Sequence, residues 1–154
     1  MTGCVCIFPD CNGPTDFVID QGGDWTVTES LVDANGNPLN LIGASAVLQS
    51  RPYPGRPVPS INLSTGTSGI TFNTVASTVT WTLPGAQTAE LVPALNNPVG
   101  FRATDTLRFL AYYDLFVTLA SGALGSYYHG KLILLLGISN IARTNGEIAL
   151  PTFP

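Results

Sequence analysis

Leu107-Arg108-Phe109-Leu110-Ala111-Tyr112-Tyr113-Asp114-Leu115-Phe116-Val117-Thr118-Leu119 is the stretch whose reading decides the fold. In a β-strand, successive side chains point to opposite faces. Phe109, Ala111, Tyr113, Leu115, Val117 and Leu119 then form a wholly apolar face. Arg108, Leu110, Tyr112, Asp114, Phe116 and Thr118 form a mixed one. This division predicts a central strand with one face in a core and the other partly covered. A helix is the competing reading of an apolar run this long, but its tyrosines, phenylalanines and valine favour the strand. A small-residue turn, Ala120-Ser121-Gly122-Ala123-Leu124-Gly125-Ser126, follows, and then a second apolar run from Tyr127 to Leu136. Two such runs joined by a short glycine-bearing loop predict a long antiparallel hairpin.

Working outward, shorter strands are expected on the N-terminal side. Phe17–Asp20 is one, and Asp24–Val32 a second, with Trp25, Val27 and Leu31 opposite Thr26, Thr28 and Ser30. Glu29 falls on the apolar side of that strand, against the pattern. Asp33-Ala34-Asn35-Gly36-Asn37-Pro38 contains Asn-Gly, the pair that accepts positive φ at both central positions of a hairpin turn, with Leu39–Leu41 as the short partner. Further strands are expected at Ser45–Arg51, Ser60–Leu63, Gly69–Asn73 and Ser77–Leu83. In the last, Val79, Trp81 and Leu83 alternate with Thr78, Thr80 and Thr82. The four prolines between Pro52 and Pro59 mark an exposed loop with Arg56 at its tip. Ala86–Val92 is expected to make two helical turns. About eight short strands with regular turn signals and almost no helix indicate an all-β, immunoglobulin-like antiparallel β-sandwich. Residues 1–16 form an irregular N-terminal arm, 17–139 the sandwich domain, and 140–154 a C-terminal tail.

The composition narrows the function. Charged residues make up 10% of the 154, against 45% hydrophobic, where an ordinary globular domain carries about 25% charge. Low charge suggests a surface that meets other protein, and a net charge of −4 gives no basic footprint for nucleic acid. Met1-Thr2-Gly3-Cys4 lacks the features of a signal peptide, and the apolar run Leu132–Leu136 is too short to insert in a bilayer. The chain is therefore expected to be made in the cytoplasm and released by lysis.

Catalysis and cofactor binding find little support. His129 is the single histidine, so any histidine-based nucleophile would centre on it; beside Tyr127 and Tyr128 it reads as a surface or interface aromatic at the hairpin turn. Gly125-Ser126-Tyr127-Tyr128-His129-Gly130-Lys131-Leu132 approaches a phosphate-binding loop, but Leu132 replaces the magnesium-holding hydroxyl and the context is strand to strand. Lys131 reads instead as an edge charge. Asp33–Asn37 lacks the downstream glutamate of a calcium loop. Asp114, set in an apolar strand, needs a hydrogen-bond donor or an arginine, with Arg108 and Arg51 as candidates. Neither a catalytic residue nor a cofactor is expected.

All three cysteines, Cys4, Cys6 and Cys11, lie in the arm. Three thiolates need a fourth ligand for tetrahedral zinc, and no further cysteine or nearby histidine remains in the chain, so a metal site would need a partner's ligand. Inert thiols are a second reading. The third is disulfide bonding: an odd count leaves one cysteine without a partner in its own chain, and clustering away from the core suits cross-links to another chain.

From residue 16 to 139 several short motifs occur in order. They are Asp24-Trp25-Thr26-Val27-Thr28-Glu29-Ser30-Leu31, then Asp33-Ala34-Asn35-Gly36-Asn37-Pro38-Leu39-Asn40-Leu41, and Gly43-Ala44-Ser45. Gly69-Ile70-Thr71-Phe72, Val79-Thr80-Trp81, Tyr112-Tyr113-Asp114-Leu115-Phe116-Val117 and Gly130-Lys131-Leu132 follow. As a set they resemble the β-sandwich modules of tailed-phage baseplate and tail-fibre proteins, in particular the N-terminal domain of siphophage upper baseplate proteins. The resemblance implies a virion structural role in the tail, a short tail fibre or a fibre-to-baseplate adaptor, with no catalytic residue. The expected partners are other virion proteins of the baseplate or tail and further copies of the chain, most simply as a homotrimer. Cys4, Cys6 and Cys11 are then the attachment or intermolecular disulfide candidates, and Trp25, Trp81, Tyr112, Tyr113, Asp114, Tyr127 and Tyr128 the packing and oligomer candidates. A capsid decoration protein is the alternative within this class. A carbohydrate-binding module is the alternative outside it, with stacking rings from Trp25, Trp81, Tyr112, Tyr127, Tyr128 and the Pro52–Pro59 loop.

Overall fold

The computed structural model describes residues 14–136 apart from 54, 57 and 58. Cys4, Cys6, Cys11 and the C-terminal tail lie outside the described residues. Eight strands and one helical turn follow in order: β1 (Phe17–Asp20), β2 (Trp25–Ser30), β3 (Ser45–Arg51), β4 (Ile61–Ser64), β5 (Ile70–Asn73), β6 (Thr78–Leu83), α1 (Gly85–Thr88), β7 (Leu107–Thr118) and β8 (Leu124–Leu135). They form two packed sheets, β1-β8-β7-β3-β4 and β2-β6-β5. The fold is an all-β sandwich, and no helix among the described residues is long and apolar enough to cross a membrane.

The sandwich departs from a purely antiparallel one at a single pairing. β1 runs parallel to β8, with Phe17 opposite Leu132 and Asp20 opposite Leu135. The long hairpin forms, but β8 begins at Leu124, inside the stretch expected to be turn. It lies between β1 and β7, so Lys131 is on an internal strand rather than an edge, and His129 sits mid-strand opposite Asp114. The near match to a phosphate loop is thus part of a strand.

Burial along β7 follows the expected alternation from Ala111 to Val117 and breaks at Leu110. Register shifts between Phe109 and Ala111, against Ile133 and Leu132. A bulge sets two residues against one and re-aims the side chains around it. Leu110 therefore joins the core cluster. Phe109 packs on Phe101 and Tyr112, with ring centroids 6.0 and 5.1 Å away. Phe109 is buried as alternation expects, though outside the core cluster, and Leu110 is the residue whose burial alternation misses.

Two further expectations are corrected. Leu39–Leu41 forms no strand; one bridge joins Val32 to Pro38. Gly36 takes φ +84° while Asn35 stays out of the positive region. The carboxylate of Asp33 accepts from the amides of Asn35 and Asn37 at 2.8 and 2.9 Å, an Asx turn rather than a two-residue hairpin. Leu39 and Leu41 are buried; the Leu39 amide donates to the Leu31 carbonyl at 3.0 Å, and the Ser77 hydroxyl donates to the Leu39 carbonyl at 2.7 Å. The helix is one turn, not two. Beyond it the Glu90 and Leu91 amides reach back only three residues, to Gln87 and Thr88, the tightening typical of a helix end. Thr88 donates to the Gly23 carbonyl at 2.7 Å and so ties this turn to the β1–β2 connection.

The core is aromatic at its centre. Phe17 lies against Trp25, Trp81 and Tyr113, with centroids 6.0, 5.9 and 5.7 Å away. Trp81 is fully buried, and burying a large apolar side chain contributes about 1.5–3 kcal/mol. Its indole N–H has no hydrogen-bond partner among the described residues. The hydroxyl of Tyr113 donates to the Thr15 carbonyl at 2.7 Å, and the Thr15 amide donates to the His129 carbonyl at 2.7 Å. Asp16 accepts from the Lys131 amide at 2.9 Å. Thr15 and Asp16, expected in the arm, are thus fastened to β8.

This fastening requires Gly130, because a Cβ there would overlap the Thr15 carbonyl oxygen. Replacing it with alanine must displace residues 15–16 or bend β8. Gly130→Ala is expected to lower the unfolding free energy by about 1–3 kcal/mol. In hydrogen exchange it should strip protection from the Thr15 amide and leave the Thr82 amide, bonded to Gly69, unchanged. Wild-type protection of the Thr15 amide in this variant would show that the clamp does not depend on Gly130.

Candidate functional site on the open face of the five-stranded sheet

The outward face of the larger sheet collects the side chains that the core alternation rejects. Register places them in rows. Gln49 of β3 faces Asn62 of β4 and Asp114 of β7, and Asp114 faces His129 of β8. Arg51 faces Tyr112, which faces Lys131. Val47 faces Phe116, and Thr118 faces Leu124. One end of the face is therefore polar and charged, and the other is apolar. Val47, Phe116 and Leu124 are exposed; Val47 and Phe116 are directly opposed, while Leu124 is diagonal to Phe116, and diagonal neighbours about 7–8 Å apart are still within reach of an aromatic side chain.

Hydrogen bonds organise the polar end. Arg51 donates from Nε to the Arg56 carbonyl at 2.6 Å and from Nη1 to Oε1 of Gln49 at 2.9 Å. Gln49 donates from Nε2 to Oδ1 of Asn62 at 3.2 Å. Asp114 finds its donor in Ser126, whose hydroxyl lies 3.0 Å from Oδ1. The expected arginine partners are engaged differently: Arg108 donates to the Thr104 carbonyl at 2.9 Å. Gln49, Arg51, Gly55, Tyr112 and Asp114 line a cleft of about 420 Å³ between this face and the loop after β3. A second cleft of about 340 Å³ lies between β4 and the α1 region, lined by Ile61, Asn62, Leu83, Gln87 and Glu90 among others.

The candidates named from sequence divide by face. Trp25, Trp81 and Tyr113 are buried in the core, so they offer no surface rings. Tyr128 points inward beside Trp81, at a centroid distance of 6.4 Å. Its hydroxyl donates to the Ser30 carbonyl at 2.9 Å and lies 3.4 Å from Oε1 of Glu29. Glu29, the misfit of the β2 pattern, thus has a polar neighbour inside the sandwich rim. Tyr127 falls at the second bulge of β8, between the Leu115–Tyr128 and Phe116–Ser126 pairs, and packs partly against the core. Tyr112 and Asp114 alone of the set share the open face. Sequence reasoning missed Gln49, Val47, Phe116, Leu124 and Ser126. For Phe116 the signal was available, two residues beyond Asp114 on the same face; for the others it required knowledge of strand register.

Burial raises the phenols that point inward. Tyr113 is pushed up strongly, first by desolvation and then by Asp16 and Glu29. Tyr127 is raised by burial and by Asp33. Tyr128 is pushed up to about 12, by burial first and then by the charge and hydrogen bond of Glu29. No cluster of metal-ligating side chains occurs among the described residues. No family model matches this chain, and no curated protein matches it.

The Tyr128 shift gives a pH prediction. The folded protein holds this proton to about pH 12, whereas the unfolded chain releases it near pH 10. Stability from this group is therefore full below pH 10 and is lost as pH rises toward 12. Tyr128→Phe should flatten the fall in urea-unfolding free energy across that window. An unchanged slope would place the Tyr128 hydroxyl in water.

Proposed function

We propose that this chain is a structural module of a tailed-phage virion, a short tail fibre or a fibre-to-baseplate adaptor, working through contacts rather than catalysis. The sequence resemblance to phage baseplate modules supplies the class. The observation that carries the reading is the apolar patch Val47–Phe116–Leu124 on an open sheet face, in a chain with only 10% charged residues. A solvated surface without a partner carries more charge than this. We assign the patch to association with further copies of the chain, as a homotrimer, and the residues before the Thr15 clamp to attachment on a tail component.

Strand order favours an immunoglobulin-like arrangement for the module. β2-β6-β5 correspond to strands B, E and D, and β8-β7-β3-β4 to G, F, C and C′. The inter-sheet disulfide of antibody domains has no counterpart, since the cysteines are at positions 4, 6 and 11. Cross-links from those positions to another chain would form after lysis, outside the reducing cytoplasm.

Sedimentation equilibrium of the purified chain should give three times the 16.2 kDa protomer mass. Phe116→Glu combined with Leu124→Glu should weaken association by about a hundredfold or more, given two buried apolar anchors replaced by charge. A wild-type protomer that stays monomeric at the highest soluble concentration would contradict the assignment of the patch. Separately, non-reducing gels of particles should show the chain in a higher-mass band that reductant collapses; a protomer-sized band without reductant would remove the cross-link.

A further inference from the structure

Beyond this structural role, we propose that the cleft formed by Gln49, Arg51, Gly55, Tyr112 and Asp114 binds a neutral saccharide through paired hydroxyls. Its floor comes from β3 and β7, each hydrogen-bonded to a neighbour on both sides. Neither strand offers a free backbone edge, so an extended peptide cannot add to the sheet here. Recognition falls to side chains.

Those side chains are held in place before any ligand arrives. Arg51 is fixed by two hydrogen bonds, to the Arg56 carbonyl and to Gln49. Among the described residues these engage two of its N–H donors, and a guanidinium carries five. Asp114 is oriented through Oδ1 by Ser126 and lines the cleft, and a carboxylate has acceptor capacity beyond that one bond. Gln49 is steadied by Asn62. Tyr112 is 37% exposed and rests edge-on against Phe109, so its ring forms a firm ledge. Gly55, which carries no side chain, also lines the cleft.

The charges choose the ligand class. One guanidinium and one carboxylate line the cleft, so their formal charges cancel. An inorganic anion beside Arg51 would meet Asp114, and a cation beside Asp114 would meet Arg51. A neutral polyol suits both: one hydroxyl accepts from Arg51 while its neighbour donates to Asp114. The C–H face of a pyranose then covers the Tyr112 ring. A volume of about 420 Å³ admits at least one sugar ring. The Pro-rich loop after β3, singled out in the sequence as a possible stacking surface, borders this cleft through Gly55; the tryptophans named with it do not.

The test is heteronuclear NMR titration of the full chain with the methyl glycosides of glucose, galactose, mannose and N-acetylglucosamine. At least one should give saturable, millimolar shifts confined to residues around Gln49, Arg51, Gly55, Tyr112 and Asp114. Asp114→Asn keeps an acceptor for Ser126 but replaces the free acceptor oxygen with a donor, and should weaken binding by about tenfold or more. Tyr112→Ala should do the same while leaving the dispersed spectrum of a folded protein. The proposal is overturned if no glycoside gives a saturable response up to roughly 100 mM, the weak end of measurable affinity. It is equally overturned if binding persists at wild-type strength in both variants.

Discussion

The contact of Phe17 with Trp25, Trp81 and Tyr113 is the constraint on which the rest of the sandwich depends. It joins the edge strand β1, the two long β2 and β6 strands of the small sheet, and the central strand β7 at one point. Aromatic pairs of this kind add about 0.5–1.5 kcal/mol each beyond the area they bury. The same Tyr113 that closes the cluster also holds Thr15 through its hydroxyl. Packing in the core and the exit of the N-terminal segment are therefore set by one side chain. Gly130 permits the arrangement by leaving room for the Thr15 carbonyl.

The outward face is a consequence of the same alternation. Every second residue of β7 is committed to the core from Tyr113 onward, so Tyr112, Asp114 and Phe116 have only the other side available. What gives that side its character is cross-strand register. Val47 and Leu124 extend the apolar end, and Gln49 and Arg51 the polar one. A single sheet face thus carries a patch suited to protein contact and a cleft lined by one guanidinium and one carboxylate, each hydrogen-bonded to neutral partners. The two neighbour each other along β7, separated by the two-residue step from Asp114 to Phe116.

Much of the fold was legible because burial follows period two wherever strands are regular. Thr78–Leu83 and Ser45–Arg51 read correctly from alternation, and so did the buried pair Trp25 and Trp81, each flanked by polar residues on the opposite face. The reading failed where one extra residue enters a ladder. The bulge at Leu110 turns that residue into the core cluster while Phe109 is buried outside it, and nothing in the local sequence marks it. It also failed at Leu39–Leu41, which forms no strand: the Leu39 amide donates to the Leu31 carbonyl, and its carbonyl accepts from the distant Ser77. The parallel pairing of β1 with β8 joins residues over a hundred positions apart, beyond the reach of local pattern. The site was less legible than the core. Asp114 called for a partner, but Ser126 became that partner only through the second bulge of β8, which sets Ser126 opposite Phe116.

The central claim is that this protein works through the open face of its five-stranded sheet. The most direct measurement places a photoreactive phenylalanine analogue at Phe116 and, separately, at Thr80 on the open face of the small sheet, and irradiates the assembled protein. The account predicts a covalent dimer or trimer of the chain from position 116 and protomer alone from position 80. Cross-linking from position 80 with none from position 116 would contradict it.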